Sequence, residues 1–146
     1  MTEHDAMLLP PIGSENAEFW AGAARGELRV QRCPDTGRLI FPPRVRSPHG
    51  RRAEPEWVSV SGRGRIWSFV VPHPPLLAQF AAVVPYNVVL VALDEDPTIR
   101  LVGNLVSEAG APLDSVDPST IEIGAPVRVV FERVSEAINM PRWVRV

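Results

Sequence analysis

The side chains most able to do chemistry are one cysteine and a cluster of arginines in the first half of the chain. Cys33 is the only cysteine, so the chain alone forms neither a disulfide nor an all-cysteine zinc site. All 15 basic residues are arginine. Ten of them lie between Trp20 and Ile66 against four acidic residues, a net of +6, which leaves −8 for the remainder of a chain of charge −2. This asymmetry indicates either a phosphate-bearing or nucleic-acid partner, or two faces of opposite charge that match within the molecule.

No group of residues in the sequence matches a known catalytic motif. Gly62-Arg63-Gly64 lacks the further glycine and the helix of a nucleotide-binding fingerprint, and neither Gly-x-Ser-x-Gly nor His-Glu-x-x-His occurs. His73 stands alone between prolines, and Asp94, Glu95 and Asp96 are typical of a charged turn. We therefore expect a binding or accessory protein rather than an enzyme.

The elements that must position these side chains begin with a tail and a short helix. Residues 1–13 show no periodicity and are predicted to form a flexible tail. Ser14 is expected to cap a helix from about Glu15 to Arg25 whose apolar stripe contains Phe19 and Trp20. Because so short a helix is marginal alone, these aromatic residues should dock onto another surface, in this domain or in a partner chain. We take them as candidates for partner docking.

After the helix the pattern is that of β structure. A hairpin is predicted from Leu28 to Phe41, and an alternating segment follows at Val58–Ser61. Five later strands, with a longer connection between the third and the fourth, fit a small OB-type barrel. These strands are Ile66–Val71, Tyr86–Leu93, Thr98–Val106, Ala125–Val134 and Ile138–Val144. The predicted organisation is mainly β: a helix and hairpin over 14–55 and an OB-fold domain over 56–146.

Short motifs follow one another along the chain in a recognisable order. They are Cys33-Pro34-Asp35-Thr36-Gly37, Phe41-Pro42-Pro43-Arg44, Ser47-Pro48-His49-Gly50, Ser61-Gly62-Arg63-Gly64, Val84-Pro85-Tyr86, Gly103-Asn104-Leu105, Ile123-Gly124-Ala125-Pro126-Val127 and Met140-Pro141-Arg142-Trp143. Their order and spacing, over roughly residues 14–144, resemble a bacterial and archaeal family of acyl-CoA-associated proteins. The resemblance implies an N-terminal helix and a rubredoxin-like zinc ribbon joined to a C-terminal OB-fold.

The ribbon of this chain departs from the family pattern of two Cys-x-x-Cys knuckles. Cys33 keeps the first ligand position, but the other three positions hold Thr36, Ser47 and Gly50. Structural zinc takes four tetrahedral ligands, so even His49, which stands outside the ligand positions, would bring the number only to two. We expect a ribbon without zinc or any other cofactor, held by apolar packing instead.

Binding residues can be proposed once the resemblance points to acyl-CoA. The planar guanidinium of arginine pairs with phosphate oxygens through two parallel hydrogen bonds, and aromatic rings offer a wall for an adenine or an acyl chain. The candidates are Arg44, Arg46, Arg63, Arg65, Trp67, Tyr86 and Asn104. The structural alternatives are a solvated basic face for the arginines, the barrel core for the aromatic residues and a turn for the asparagine.

The leading hypothesis is an accessory acyl-CoA-binding subunit without catalysis of its own. The resemblance implies a partner enzyme, either thiolase-like or a hot-dog-fold enoyl-CoA hydratase, in lipid, steroid or polyketide metabolism, and a homodimer is possible. One alternative is a protein that binds single-stranded nucleic acid, which a net charge of −2 disfavours. The other is a purely structural scaffold. No apolar run is long enough for a membrane helix and no hydrophobic signal segment is present, so we expect a cytoplasmic protein.

Overall fold

A computed structural model of the chain describes residues 8–51 and 53–146. Residues 1–7 of the predicted tail lie outside this part. The elements are α1 (Ala17–Ala24), β1 (Leu28–Arg32), β2 (Leu39–Ile40), β3 (Glu56–Val60), β4 (Arg63–Val70), α2 (Ala78–Ala81), β5 (Val88–Leu93), β6 (Arg100–Gly103), a short 3-10 turn (Pro118–Thr120), β7 (Pro126–Arg133) and β8 (Asn139–Arg145). The predicted class, mainly β with an N-terminal helix, is confirmed. Within these ranges no helix is long and apolar enough to cross a membrane.

Helix α1 begins later than its sequence predicts. Asn16, rather than the expected Ser14, occupies the cap position, and its side chain makes no capping hydrogen bond. Its amide instead binds backbone groups that precede the helix: Oδ1 accepts from the Gly13 N–H (2.8 Å) and Nδ2 donates to the Pro11 carbonyl (3.1 Å). The helix ends at Ala24, close to the predicted Arg25, and Gly26 follows it as predicted, with a φ of 76° that favours glycine.

The first of two sheets has the order β2-β1-β3. The predicted hairpin forms, and β3 then pairs antiparallel with the whole of β1, from Leu28 opposite Val60 to Arg32 opposite Glu56. The first strand after residue 55 thus joins the hairpin and not the barrel. The predicted domain boundary between residues 55 and 56 stays a prediction, and the hydrogen bonds between β1 and β3 cross it.

The second sheet has five antiparallel strands in the order β6-β5-β4-β7-β8, as an OB-fold requires. A parallel bridge between Leu105 and Trp143 draws its two edge strands together. Gly103 lies where a Cβ would come within 2.8 Å of the Trp143 ring, so only glycine fits beside that indole. The longer connection falls between the third and fourth barrel strands, as the sequence predicts.

A bulge in β4 determines which of its residues face outward. The pairing with β5 shifts between Ile66 and Ser68, so one extra residue is inserted there. Before the bulge the odd-numbered residues are exposed, and after it Val70 is exposed while Phe69 packs against the core. Trp67 is therefore left on the outer surface of the barrel.

One apolar core joins the helix, the first sheet and the barrel. Phe19 and Trp20 are each only 8% exposed, pack edge to face at 5.0 Å and belong to the cluster that contains Leu28 and Trp143. The expectation that these two aromatic residues are available for partner docking is therefore wrong. The apolar stripe of α1 finds its surface within the same chain, because α1 packs against both β1 and β8.

A second, smaller cluster lies under the connection between β4 and β5. Leu76, Phe80 and Val83, on either side of and within α2, pack against Tyr86. Their neighbours in the cluster come from β7, β8 and the segment after β6. The connection is therefore held on the barrel by its own apolar residues.

Candidate functional site

The two degenerate knuckles of the ribbon are joined by hydrogen bonds. The Cys33 thiol is fully buried and donates to the His49 carbonyl at 3.6 Å. The Ser47 hydroxyl donates to the same carbonyl (2.9 Å) and accepts from the His49 N–H (3.0 Å). Asp35 closes the other side by accepting from the backbone N–H of Arg51 at 3.0 Å. Hydroxyl, thiol and carboxylate groups thus occupy the space between the knuckles.

The donors at the family's four ligand positions do not fit zinc. They offer one thiol, two hydroxyls at Thr36 and Ser47, and no side chain at Gly50, whereas structural zinc takes thiolates and imidazoles. A Cβ at Gly50 would lie 2.9 Å from the Cβ of Asp35, so that space is already filled. In the chain that the structure describes, no three His, Cys, Asp or Glu residues are grouped to hold a metal. Hydrogen bonds from Ser47 and then Thr36 instead lower the pKa of the Cys33 thiol.

A buried glutamine, missed in the sequence, fixes the loop that carries Arg44. Gln31 is 5% exposed, and its amide donates to the Arg44 carbonyl (2.9 Å) and accepts from the Arg44 N–H (2.7 Å). The cleft beside Arg44, about 280 Å³, is also lined by Glu15 and Glu54. Two carboxylates beside one guanidinium make this cleft poorly suited to a phosphate. The other ribbon candidate, Arg46, is exposed on the same loop.

Four exposed arginines lie on the outer face of the barrel. Arg63 and Arg65 alternate along β4, Arg128 lies opposite Arg63 on β7, and Arg100 shares its row with Arg65 through the intervening Ala92. We call Arg63, Arg65, Arg100 and Arg128 the arginine band. None of the four has a carboxylate within 4.0 Å among residues 8–51 and 53–146. Sequence reasoning missed Arg100 and Arg128, which only the strand register could have placed here.

Apolar side chains adjoin these arginines on the same outer face. Val70 pairs with Val88 and Leu90 pairs with Val102 across β4, β5 and β6. Together with Trp67 they line a groove of about 200 Å³. We call Trp67, Val70, Val88, Leu90 and Val102 the apolar band. The Arg100 guanidinium carbon lies 3.8 Å from the centre of the Trp67 ring, so a cation–π contact joins the two bands.

Tyr86 and Asn104, two of the predicted ligand contacts, lie elsewhere. Tyr86 is 7% exposed, with its ring centre 5.8 Å from that of Phe80, and so belongs to the second core cluster. The Asn104 side chain makes its hydrogen bonds within the chain: it donates to the Asn87 carbonyl and accepts from Arg142 at 2.8 Å. The structure therefore brings together Arg63, Arg65 and Trp67 from the predicted set, and neither Tyr86 nor Asn104.

The polar groups around Asn104 close the barrel. Asn87, fully buried, donates to the Leu105 carbonyl (2.9 Å) and accepts from the Leu105 N–H (2.7 Å). Arg142, 5% exposed, also donates to Glu132 at 3.0 Å. These side chains are bound to one another at the seam where β6 meets β8, so their role is structural.

Two family models match the chain. The rubredoxin-like zinc ribbon domain of ChsH2 matches residues 20–49, and the C-terminal OB-fold domain of ChsH2 matches residues 57–132. They cover the ribbon and most of the barrel in the order that the structure shows.

Curated relatives agree with these matches. The chain is 36% identical over 139 residues to the 3-oxo-4,17-pregnadiene-20-carboxyl-CoA hydratase alpha subunit of Mycobacterium tuberculosis, covering 95% of this chain and 39% of the relative. It is 33% identical over 132 residues, 90% of this chain, to a probable enoyl-CoA hydratase alpha subunit of Thermomonospora curvata, of which it covers 38%. The chain thus spans about two fifths of these two relatives. A DUF35 domain-containing scaffold protein of Methanothermobacter thermautotrophicus is 34% identical over 113 residues, 77% of each chain.

Solved structures show the same fold. A chain of the Ltp2-ChsH2(DUF35) aldolase superposes with a TM-score of 0.78 at 31% identity, covering 94% of this chain and 98% of that one. A DUF35 family protein of unknown function from Sulfolobus solfataricus superposes with a TM-score of 0.57 at 16% identity, covering 92% and 87%. The predicted family assignment is confirmed: the chain belongs to the DUF35 family of ChsH2-like proteins, which join a rubredoxin-like zinc ribbon domain to a C-terminal OB-fold domain.

Proposed function

We propose that the chain is a non-catalytic accessory subunit of a thiolase-like or hydratase-type enzyme that acts on acyl-CoA. One observation carries this proposal: the chain matches 98% of a chain of the Ltp2-ChsH2(DUF35) aldolase at 31% identity. The names of the two hydratase alpha subunits support a role beside acyl-CoA chemistry. The side chains support the accessory role, because Cys33 is buried in hydrogen bonds and His73 is exposed with no acid or base bound to it in the described chain.

In this proposal Arg63, Arg65 and Arg128 of the arginine band contact the phosphates of CoA. Three guanidiniums without carboxylate partners, on neighbouring strands of one sheet, match the charge of a pyrophosphate and a 3′-phosphate. The adjoining groove of about 200 Å³ is small beside the roughly 300–1,000 Å³ of ordinary ligand pockets. Acyl-CoA would therefore be held between this chain and its partner enzyme, with Arg63 and Arg65 as the main phosphate contacts.

We further propose that the ribbon is metal-free. Its donor set and the filled space beside Gly50 support this. Metal analysis of the protein purified without chelator tests it: we expect less than stoichiometric zinc, and one zinc per chain would contradict it.

The partner is tested by affinity purification from the native host, with mass spectrometry to identify what is retained. We expect a thiolase-like or hydratase-like enzyme. The two purified proteins are then combined, and acyl-CoA binding is measured by calorimetry for each alone and for the mixture. We expect the mixture to bind more tightly than either protein. Retention of no such enzyme, together with no acyl-CoA binding, would contradict the proposal.

Two variants separate a ligand-binding subunit from a pure scaffold. Arg63→Ala with Arg65→Ala should weaken acyl-CoA binding by the mixture, while Arg38→Ala, an exposed arginine of the ribbon hairpin, should not. If the enzyme binds but neither variant nor wild type affects its acyl-CoA affinity, the chain is a scaffold and the arginine band has another role.

A further inference from the structure

We propose that the apolar band is the surface onto which the partner enzyme docks, and that the enzyme places a carboxylate against Arg100 at its border. This inference rests on the proposed function and adds to it the docking surface and the chemistry of the surface that fits it.

Three of the five side chains in the apolar band are largely exposed to solvent. Val102 is 68% exposed, Val70 58% and Trp67 49%. Strand register makes these residues contiguous, since β5 lies between them with Val88 opposite Val70 and Leu90 opposite Val102. Contiguous exposed apolar side chains on a soluble domain mark interaction sites, whereas single ones are ordinary.

Trp67 has the properties of an anchor residue. The β4 bulge turns its indole outward, and the Arg100 guanidinium stacked 3.8 Å from the ring centre holds it in place. A large aromatic side chain that is already positioned loses little conformational freedom on binding, which is why tryptophan and arginine dominate interface energetics.

The charge beside the band selects the partner. Arg100 keeps its N–H groups available while stacked, and no carboxylate lies within 4.0 Å of it in the part of the chain that is described. Neither band contains a carboxylate of its own. A second copy of the chain would therefore bring arginines against arginines or against aliphatic groups, whereas an enzyme surface with a carboxylate beside apolar side chains matches both features.

The same features disfavour nucleic acid as the occupant. OB-fold proteins bind single strands by stacking successive bases on several aromatic rings along a basic groove. Two rings line the groove, but Phe69 packs against the core, so only Trp67 stands on the outer face. The side chains beside it are aliphatic and provide no stacking platform. An enzyme on the apolar band would also bring its surface next to the arginine band, where the proposed function places the phosphates of CoA.

A pair of matched valines tests the proposal. Val102, in the apolar band, and Val45, in the ribbon loop, are 68% and 67% exposed. The affinity of the enzyme identified above is measured by biolayer interferometry for wild type, Val102→Glu, Trp67→Ala, Arg100→Glu and Val45→Glu. We expect the three changes in and beside the apolar band to weaken binding by about tenfold or more, and Val45→Glu to stay within about twofold of wild type.

A second measurement guards against a variant that fails to fold. Hydrogen exchange of the wild-type chain is followed with and without the enzyme, and protection is expected over β4, β5 and β6 and not in the ribbon loop around Val45. Circular dichroism of each variant checks that the fold is kept.

The outcomes separate the docking surface from the proposed function. If the wild type binds the enzyme, but Val102→Glu binds equally well or protection falls on the ribbon, the docking surface is wrong and the proposed function stands. If no thiolase-like or hydratase-like enzyme binds the wild type, both fail. A wild-type dimer that Val102→Glu converts to a monomer would make a second copy the occupant. Binding of a labelled oligothymidine that Trp67→Ala abolishes would make it nucleic acid, and either result overturns the proposal.

Discussion

The ribbon and the barrel reach a fixed geometry by different means. In the ribbon, polar side chains bind backbone groups: Gln31 holds the Arg44 segment and Ser47 holds His49. In the barrel, buried apolar residues such as Val89, Val91 and Trp143 fill the space between strands, and the buried polar side chains found among the described residues, Asn87 and Arg142, lie at the seam. A ribbon whose metal positions are lost can thus keep its fold through hydrogen bonds, each worth less than a large side chain in a packed core.

The largest effect should come from the barrel core. Trp143 is 1% exposed and fills the space beside Gly103, so Trp143→Ala should leave a cavity and lower the free energy of unfolding by about 3–5 kcal/mol. Urea unfolding followed by circular dichroism measures it. Trp67→Ala, on the surface, is the matched control. Loss of less than about 1 kcal/mol at Trp143 would mean that the barrel does not depend on apolar packing.

The next effect should come from the ribbon amide. Gln31→Ala leaves the Arg44 N–H and carbonyl without their partners, and should cost about 2 kcal/mol in the same urea experiment. The only other glutamine, Gln79 in α2, makes no such pair and serves as the control as Gln79→Ala. Equal stabilities for the two variants would contradict a ribbon held by side-chain hydrogen bonds.

A smaller effect is expected for Ser47→Ala. It removes two hydrogen bonds within one turn and should cost about 1 kcal/mol. The same hydroxyl is the main reason that the pKa of Cys33 lies below its ordinary value, so the pKa should rise in the variant. Thiolate absorbance followed over a pH titration measures it, and an unchanged pKa would contradict the contact.

The lowered pKa also sets the direction of a pH dependence. Between the lowered pKa of the folded thiol and the ordinary pKa of a cysteine thiol in the unfolded chain, the unfolded chain binds more protons than the folded one. The free energy of unfolding should therefore rise with pH through this window, and the rise should be smaller in Ser47→Ala and absent in Cys33→Ser. Urea midpoints of the three proteins, measured across this pH window, test the prediction. A free energy of unfolding that falls with pH in the wild type would contradict the lowered pKa of Cys33.

The smallest effect should be that of a chelator. If hydrogen bonds replace the metal in the ribbon, prolonged treatment with EDTA leaves the melting temperature unchanged. A lower melting temperature that added zinc restores would show that the ribbon depends on a metal like its relatives' ribbons, and the contrast between the two regions would disappear.

The fold could be predicted from local patterns because those patterns are strong. Alternation at Leu28–Arg32 and the apolar run ending at Leu93 identify strands, and motif order identifies the family. The partner of β3 could not be predicted, since its alternation fits either sheet and only packing decides. Tertiary contacts also explain why β5 begins at Val88 and not at the predicted Tyr86. The Asn87 side chain before it binds the Leu105 backbone at the barrel seam.

The candidate site was predictable only where neighbours in sequence are neighbours in space. Arg63, Arg65 and Trp67 lie on one strand, so their spacing places them on one face. Arg100 enters through strand register, which the sequence does not reveal. Phe19 and Trp20 illustrate the opposite problem: an apolar stripe indicates burial without saying whether the covering surface belongs to the same chain.

The bulge in β4 makes this strand tolerant of a change in length at Trp67. Ile66 and Ser68 pair with neighbouring residues of β5, so removing the one residue between them would restore regular alternation, with Phe69 still facing the core and Val70 still facing solvent. Deletion of Trp67 should therefore be tolerated by the fold. Among homologues, alignment gaps within β4 should fall at the bulge.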